Sequence, residues 1–373
     1  MFKTAWRFIM YDKPKSIGAL FGVVISIFLI GQQTGIFIFL TGAMANLVDN
    51  IDTDIWVVDN RTTNINALGQ IDGRYQREIA MLPGVAHVYP LVIAGAAAKF
   101  QNGTSAGVTL VGSQAPAFVG GPWGLTSGTK NDLLNDNAVT TEVYDQAILG
   151  GIGLGSSFEI SGKRAYVALQ TKGARGFGAA YVFTTIERAR YYGNFPNQKV
   201  SAYLVKADSG YNQDELVGQI NKNLFGVKAW TRKGFSKETV NTVLSSSGIA
   251  TSIGTLIIFA IIAGSVIIGL TLYSAATDRL KDYAILKAIG ATNANVRNLI
   301  LLQAAIFAIT GYFIGLLLME AFRIGIANAG VAFTYSFAMY IAFAVITLVI
   351  SFLGVIAAIR RIIRVEPASV FRN

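Results

Sequence analysis

Long runs without a charged residue alternate along this chain with segments in which polar and apolar positions mix. Four runs contain no Asp, Glu, Lys or Arg, and they cover residues 16–48, 239–277, 298–319 and 324–359. Each is longer than the roughly 20 residues with which an α-helix crosses about 30 Å of hydrocarbon. The pattern predicts four transmembrane helices, and the low charged fraction of 14% agrees with a membrane protein.

Two of these helices are longer than a membrane requires. The first, 17–48, would measure about 48 Å, and the second, beginning near Ser236 and continuing through 277, about 65 Å. We therefore expect both to project from the bilayer as stalk helices. The apolar run of the first is too long for a signal peptide, so we expect it to remain in the protein. The third and fourth spans, 299–319 and 335–359, are joined by a predicted external loop, 320–334, where Glu320 and Arg323 can pair.

Residues 49–235 have a different pattern, in which short β-rich runs are separated by Gly, Asn, Asp and Pro. The order strand, helix, Gly-Val turn, strand occurs twice, in 49–95 and again in 193–235. We expect these two units to form one lobe and the insertion 96–192 to form a second, all-β lobe. The fold class predicted is an α-helical membrane protein with an α+β extracytoplasmic domain.

The distribution of Lys and Arg predicts the orientation. Residues 1–16, 278–298 and 360–373 hold twelve Lys and Arg against four Asp and Glu. Cytoplasmic loops carry such an excess of cations, so we expect both termini and the segment 278–298 in the cytoplasm. Residues 1–16 mix large apolar side chains with cations and predict an amphipathic helix at the inner surface of the bilayer. The positive charge thus reflects topology, and nucleic acid is not an expected partner.

The sequence offers little material for catalysis. There is no cysteine, His87 is the single histidine, and no Asp, Glu and His cluster has metal-ligand spacing. No phosphate-binding G-x-x-x-x-G-K-[ST] motif occurs, and the nearest mimic, 151–157, lacks the lysine and is interpreted as a turn. We predict no catalytic, cofactor-binding or metal residues. The glycine-rich segment 172–178 is either a contact loop for a partner or a plain hairpin.

Four glycines of the first span fall into two small-x-x-x-small patterns. The pairs are Gly18 with Gly22, and Gly31 with Gly35. Such spacing places small residues on one helix face and allows another helix to approach closely. The neighbour is either another helix of the same chain or the same helix of a second copy, and the pattern leaves both alternatives open.

The segment 278–292 combines charged and apolar residues just after the second span. It is predicted as a helical extension of that span that ends at Gly290. A connecting turn would have no need of Ile285, Leu286 and Ile289, so the segment is suited to docking a soluble partner.

Here the sequence resembles the MacB/FtsX-type ABC transporter permeases, whose pattern after the second span is approximately E-R-x-x-E-I-x-x-L-K/R-A-I/L-G-A. Asp278 and Asp282 replace the usual glutamates, and Tyr283 replaces an aliphatic residue. The segment 82–90 and the basic tail 360–368 are also similar to the family, and Asp282-Tyr283-Ala284 leans toward its DevC/HrtB-like branch. The matching residues are Arg279, Leu286, Lys287, Ala288, Gly290 and Ala291.

The resemblance implies a MacB-type permease fold in a bacterial inner membrane, with two copies in the assembly. A separate ABC ATPase subunit would bind and hydrolyse ATP, so the chain needs no cofactor of its own. The residues expected to contact that subunit are Arg279, Asp282, Tyr283, Leu286, Lys287, Ala288, Gly290, Ala291 and Thr292.

The expected function is export of a hydrophobic or amphipathic substrate by ATP-driven motion of the periplasmic domain, together with a membrane-fusion adaptor protein. The alternative is a mechanotransmission subunit that regulates a cell-wall hydrolase without transport. The size of the external segment, near 190 residues, favours the exporter.

Overall fold

The computed structural model describes residues 2–11, 13–278 and 280–363. The chain divides into two compact units. The membrane unit consists of two segments, Met1–Phe39 and Ile249–Asn373, and the α+β domain between them in sequence is Leu40–Gly248. The described residues form these helices: α1 (Phe2–Tyr11), α2 (Lys13–Asn50), α3 (Tyr75–Ala80), α4 (Ile186–Gly193), α5 (Gln213–Asn223), α6 (Arg232–Ser247), α7 (Ile249–Asp278), α8 (Leu280–Ala288), α9 (Asn293–Ala327) and α10 (Phe337–Ile363).

The helices α2, α7, α9 and α10 are long and apolar enough to cross a membrane. Helix α9 begins before the predicted residue 299 and continues past 319, so the predicted loop 320–334 shortens to 328–336. Helix α10 likewise continues past the predicted end at 359. Charged residues at these helix ends misled the prediction, because a helix can continue beyond its apolar run where water solvates it.

The second stalk helix is not continuous, contrary to the prediction. Helix α6 ends at Gly248, whose φ of 68° lies in the left-handed region, and α7 starts at the next residue. A left-handed residue ends a helix, and glycine adopts this conformation without the steric cost of a Cβ. Helix α6 also begins earlier than expected, because the Thr231 hydroxyl, not Ser236, caps it by accepting a hydrogen bond from the Gly234 amide (3.2 Å).

Close approach between α7 and α10 depends on a pair of glycines. A Cβ placed on Gly269 would lie 2.7 Å from the Gly354 carbonyl oxygen, and one placed on Gly354 would lie 2.8 Å from the Ser265 carbonyl oxygen. No side chain fits between these backbones. The sequence prediction singled out the glycines of the first span and missed this pair, which is formed between two different helices.

The four glycines of α2 that form the small-x-x-x-small patterns face helices and loops of the same chain. A Cβ on Gly18 would meet the Thr271 methyl group at 3.8 Å, and one on Gly22 would meet Ile267 Cβ at 3.1 Å. Gly31 faces Met319, and Gly35 faces Phe333 and Tyr335. Of the two neighbours left open by the pattern, the structure shows the intrachain one.

A polar cluster joins α9 to α10. Arg323 Nε lies 2.6 Å from Glu320 Oε2, and the Tyr340 hydroxyl donates a hydrogen bond of 2.6 Å to Glu320 Oε1. The Tyr335 hydroxyl donates to the Gly31 carbonyl at 2.8 Å, which ties the loop before α10 to α2. Glu320 and Arg323 thus pair as their spacing suggests.

The strands of the α+β domain are β1 (Ile55–Asp59), β2 (Ile71–Asp72), β3 (Val85–Lys99), β4 (Ser105–Ser113), β5 (Leu125–Ser127), β6 (Ala138–Glu142), β7 (Ser157–Ile160), β8 (Lys163–Thr171), β9 (Ala180–Thr185), β10 (Lys199–Val200), β11 (Ala202–Ala207) and β12 (Val227–Thr231). The two repeated units interleave in one sheet of order β12-β1-β11-β3. Strand β1 pairs antiparallel with both β11 and β12, and β11 pairs with β3. Helices α3 and α5 add Ile79, Leu216 and Ile220 to the core. The units therefore pack together, although about 100 residues separate them in sequence.

The insertion folds into a small barrel that shares β3 with this sheet. Backbone ladders connect β9, β4, β3, β7, β8 and β6 in that order. Two bonds close the ring between β9 and β6, from the Phe183 amide to Thr140 Oγ1 (2.9 Å) and from Thr184 Oγ1 to the Ala138 carbonyl (2.9 Å). The predicted lobe boundary at 95/96 thus falls inside β3, and one core cluster spans both predicted lobes.

The insertion was expected to be all-β, but the structure shows that it also contains a helix. The Thr185 hydroxyl caps the start of helix α4 by accepting a hydrogen bond from the Arg188 amide. The helix buries Ile186, Ala189 and Tyr192. These three positions recur every three residues, which is the spacing of one helix face. The helical period of this run was therefore present in the sequence, within the segment 96–192 that was expected to be all-β.

The glycine-rich segment 172–178 is held in place by a buried carboxylate. Glu142 is fully buried and accepts hydrogen bonds from the Gly173 amide (2.8 Å) and the Ala174 amide (2.9 Å). Arg175 pairs with Asp145 at 2.8 Å. The Asn46 side chain of α2 donates to the Arg175 carbonyl (2.8 Å). The segment therefore anchors the end of α2 within the α+β domain.

The glycine contact between α7 and α10 predicts a selective effect of substitution. Gly269→Val should destabilise the membrane unit by about 1–3 kcal/mol, because a side chain there forces the two backbones apart. The measurement is the thermal unfolding midpoint of the protein in detergent.

Gly254→Val provides the matched control on the same helix, since a Cβ at Gly254 meets no atom within 4 Å. Equal midpoints for the two variants would show that the close approach does not stabilise the unit.

Candidate coupling site

The segment 280–292 forms helix α8 and the turn that leads into α9. Its end is a Schellman motif, in which the Ala291 amide donates to the Leu286 carbonyl (2.9 Å) and the Gly290 amide to the Lys287 carbonyl (3.1 Å). Gly290 has a φ of 104°. The Thr292 hydroxyl then caps α9 by accepting from the Asn295 amide (3.2 Å). Gly290, Ala291 and Thr292 thus set the path of the chain between two helices.

One face of α8 packs into the membrane unit. Tyr283 is 2% exposed and Ala284 is fully buried, and the Tyr283 ring lies 5.5 Å from the Phe8 ring of α1, measured between centroids. Leu286 is half-buried against the same core. The Lys287 ammonium donates a hydrogen bond of 2.8 Å to the Ile363 carbonyl in α10. These contacts hold α8 against α1 and α10.

The opposite face of α8 is exposed. Ile285 is 48% exposed and Ile289 77% exposed. Their spacing of four residues places them on one side of a helix, where they form an apolar strip flanked by charges. We call this surface the outer face of α8, and its residues are Lys281, Asp282, Ile285, Ala288 and Ile289.

The structure divides the predicted ATPase-contact residues into two groups. Asp282 and Ala288 lie on the outer face of α8, whereas Tyr283, Leu286 and Lys287 contact the chain itself. Arg279 lies outside the described residues. The prediction omitted Lys281, Ile285 and Ile289, although the helical period would have placed them opposite Tyr283, Ala284 and Lys287.

A small cleft and an ion pair lie close to α8. A cleft of about 200 Å³ opens beside the helix, and it is lined by Thr4, Leu286, Ala291, Asn295, Val296 and Leu299. An ion pair between Lys15 and Asp278 fixes the start of α2 to the end of α7. In the part of the chain that the structure describes, no group of three or more His, Asp or Glu side chains could hold a metal ion.

Two family profiles match successive parts of the chain. Residues 16–223 match the MacB-like periplasmic core domain. Residues 235–367 match the FtsX-like permease C-terminal domain, which includes α8 and its outer face. The chain belongs to the MacB/FtsX-type ABC transporter permeases.

Curated relatives agree with this membership. An uncharacterized ABC transporter permease of Mycobacterium tuberculosis is 25% identical over 367 residues, which cover 94% of this permease and 95% of the relative. An uncharacterized ABC transporter permease of Mycobacterium bovis is 31% identical over 114 residues, or 30% of this chain and 31% of that one.

Among solved structures, the periplasmic region of MacB from Actinobacillus actinomycetemcomitans is similar to 54% of this permease. The match has a TM-score of 0.38 and 11% sequence identity, and it covers 99% of that chain. The extracellular domain of the noncanonic ABC-type transporter YknZ from Gram-positive bacteria matches 48% of the permease and 100% of its own length, with a TM-score of 0.33 and 14% identity.

The division of α8 into two faces predicts different costs for two substitutions. Tyr283→Ala should lower the free energy of unfolding of the membrane unit by about 3–5 kcal/mol, because it leaves a cavity beside Phe8. Ile289→Ala should change it by less than about 0.5 kcal/mol, as expected for an exposed position.

Both variants can be compared by thermal unfolding in the same detergent. A large loss of stability in Ile289→Ala, with none in Tyr283→Ala, would contradict the assignment of the two faces.

Proposed function

We propose that this permease couples ATP hydrolysis by a separate ABC ATPase to motion of its α+β domain, and that the outer face of α8 is the surface on which the ATPase docks. The observation that carries this proposal is the pair Ile285 and Ile289, two large apolar side chains exposed on a helix whose other face is fixed. A soluble partner that covered them would remove apolar surface from water. Asp282 and Lys281 would give such a contact its orientation.

The contacts that hold α8 against neighbouring helices support a role in force transmission. Its inner face contacts α1 through Tyr283 and α10 through Lys287, and the Schellman motif and the Thr292 cap fix its connection to α9. A displacement of α8 by a bound ATPase would therefore act on three helices of the membrane unit together. A flexible linker would not pass on such a displacement.

We propose that two copies assemble, and that α7 contributes to the interface. Only 17% of the most apolar stretch of α7 is buried within the chain, whereas the corresponding values for α2, α9 and α10 lie between 39% and 44%. The glycine face of α2 is already occupied by intrachain contacts. The least covered span is therefore the better candidate for contact with a second copy.

The proposed process is export of a hydrophobic or amphipathic substrate from a bacterial inner membrane, with a periplasmic membrane-fusion adaptor as a further partner. The MacB-like core domain supports this choice over regulation of a cell-wall hydrolase. Copurification of the assembled complex, followed by mass spectrometry of its proteins and small molecules, tests it. Recovery of a cell-wall hydrolase with no adaptor would favour the regulator.

The proposed orientation has both termini in the cytoplasm and the α+β domain outside. Single-cysteine labelling is direct here, because the chain has no native cysteine. Cysteines that replace Ser209 and Asn328, both exposed, should react with an impermeant maleimide added to intact cells. A cysteine that replaces Asn295 should react only after the membrane is opened. Labelling of the Asn295 position in intact cells would overturn this topology.

The coupling proposal predicts that changes on the outer face of α8 separate folding from ATPase binding. Asp282→Lys reverses a charge at the proposed contact, where loss of a paired group costs about 2–5 kcal/mol. Binding of the ATPase should weaken at least about 30-fold. Ile289→Ser should also weaken binding, because it removes an apolar contact. Both variants should insert and unfold like the native protein, and affinity is measured in detergent with the purified ATPase.

Met81→Ser is the matched control, since Met81 is 81% exposed but lies in the α+β domain. It should bind the ATPase with native affinity. If Asp282→Lys and Ile289→Ser also retained native affinity and native stimulation of ATP hydrolysis, the outer face of α8 would not be the docking surface.

A further inference from the structure

An apolar groove lies between α1, α2 and α9, within the membrane unit. Its volume is about 300 Å³, at the lower end of the range for ligand pockets in proteins. The residues that line it are Trp6, Ile9, Met10, Lys13, Ser16, Ile17, Leu20, Ile306, Phe307 and Thr310. Among these lining residues, Lys13 is the one that carries a charge.

The apolar part and the charged part of the groove lie at different levels of the membrane unit. Lys13 is the first residue of α2, whereas Leu20 lies two turns further along α2. Trp6 is 43% exposed and Ile17 63% exposed, so the groove is open on the side that faces away from the protein core. In a membrane that side meets lipid.

We propose that this groove binds one anionic phospholipid, with an acyl chain against Leu20 and Phe307 and the headgroup phosphate at Lys13. A phospholipid places apolar chain and negative charge at adjacent levels of the bilayer, and the groove offers complementary surfaces in the same order. Tryptophan prefers the membrane interface, which agrees with Trp6 beside Lys13. The neighbouring cations of α1, Lys3 and Arg7, are also exposed and raise the local positive potential.

A bound lipid would fill the space between an interfacial helix and two transmembrane helices. Helix α1 contacts Tyr283 of α8 through Phe8, on the side of α1 that faces away from Trp6 and Met10. The lipid would therefore support the helix against which α8 is packed.

Quenching of Trp6 by brominated lipids tests the proposal. The permease is reconstituted in phosphatidylcholine vesicles that contain a small fraction of brominated phosphatidylglycerol or, separately, brominated phosphatidylcholine. The other tryptophans, Trp56, Trp123 and Trp230, lie in the α+β domain, and a Trp6→Phe variant gives their background. Phosphatidylglycerol should quench Trp6 with a relative binding constant about fivefold above that of phosphatidylcholine, as expected for one cation near a lipid phosphate.

Lys13→Gln should reduce this preference markedly, with Lys3 and Arg7 accounting for what remains, and should leave the thermal unfolding midpoint unchanged because Lys13 is exposed. Lys281→Gln is the matched control, since it removes an exposed cation of α8 that does not line the groove, and it should keep the preference. Equal quenching by both lipids in the native protein would overturn the proposal, as would an unchanged preference in Lys13→Gln.

Competition with inorganic phosphate distinguishes a lipid site from a site for phosphate alone. The phosphate replaces chloride in the buffer, so that the ionic strength stays constant. It should leave the quenching by phosphatidylglycerol unchanged if the acyl chain contributes to binding. Displacement of the lipid by phosphate would show that the groove recognises the anion alone, and would contradict the assignment of a phospholipid.

Discussion

Helices in a bilayer gain little from hiding apolar side chains from one another, since lipid chains are as apolar as leucine. Their association depends instead on how closely the backbones approach. In this permease the approach is set where Gly269 of α7 meets Gly354 of α10, with room for no Cβ on either residue. The contacts of α2 through Gly22 and Gly31 follow the same rule, and Gly311 of α9 packs against Val23 in the same way. The arrangement of the spans, and with it the position of α8, depends on these close contacts at glycines.

The end of the membrane unit that carries α8 shows how a short helix can be fixed on one face and exposed on the other. Helix α8 has nine residues, too few to be stable in isolation, so its inner face must supply the stability. Tyr283 and Ala284 do so by burial, and Lys287 does so by capping the end of α10. The sequence signature by which the family is recognised, Leu286-Lys287-Ala288 before Gly290-Ala291, is thus partly a signature of folding. Of this signature, Ala288 lies on the outer face, and the other residues of that face, Lys281, Asp282, Ile285 and Ile289, fall outside it.

The sequence predicted the number of spans, the α+β domain and the packing of its two repeated units against each other, because hydrophobic runs and strand-helix-strand periods are local signals. It did not predict features that depend on which elements meet. Gly269 and Gly354 are far apart in the chain, and nothing near either residue reveals the other. The burial of Tyr283 likewise follows from the presence of Phe8, which the sequence places some 275 residues away. The break at Gly248 was missed because this glycine lies inside the charge-free run 239–277, so that the whole run was interpreted as one long helix.

The two connections between the membrane unit and the α+β domain, helix α2 and the pair α6 and α7, differ in their resistance to twisting about the helix axis. The 38 residues of α2 form one uninterrupted hydrogen-bonded rod, so a rotation applied at one end about the helix axis reaches the other end. At Gly248 the ladder of i to i−4 hydrogen bonds is interrupted by a single left-handed residue, and rotation about the axis of α7 can be absorbed there by changes in φ and ψ. The two chain crossings between the membrane unit and the α+β domain therefore differ in stiffness: α2 crosses as one continuous helix, whereas the crossing from α6 to α7 contains a candidate hinge residue, Gly248.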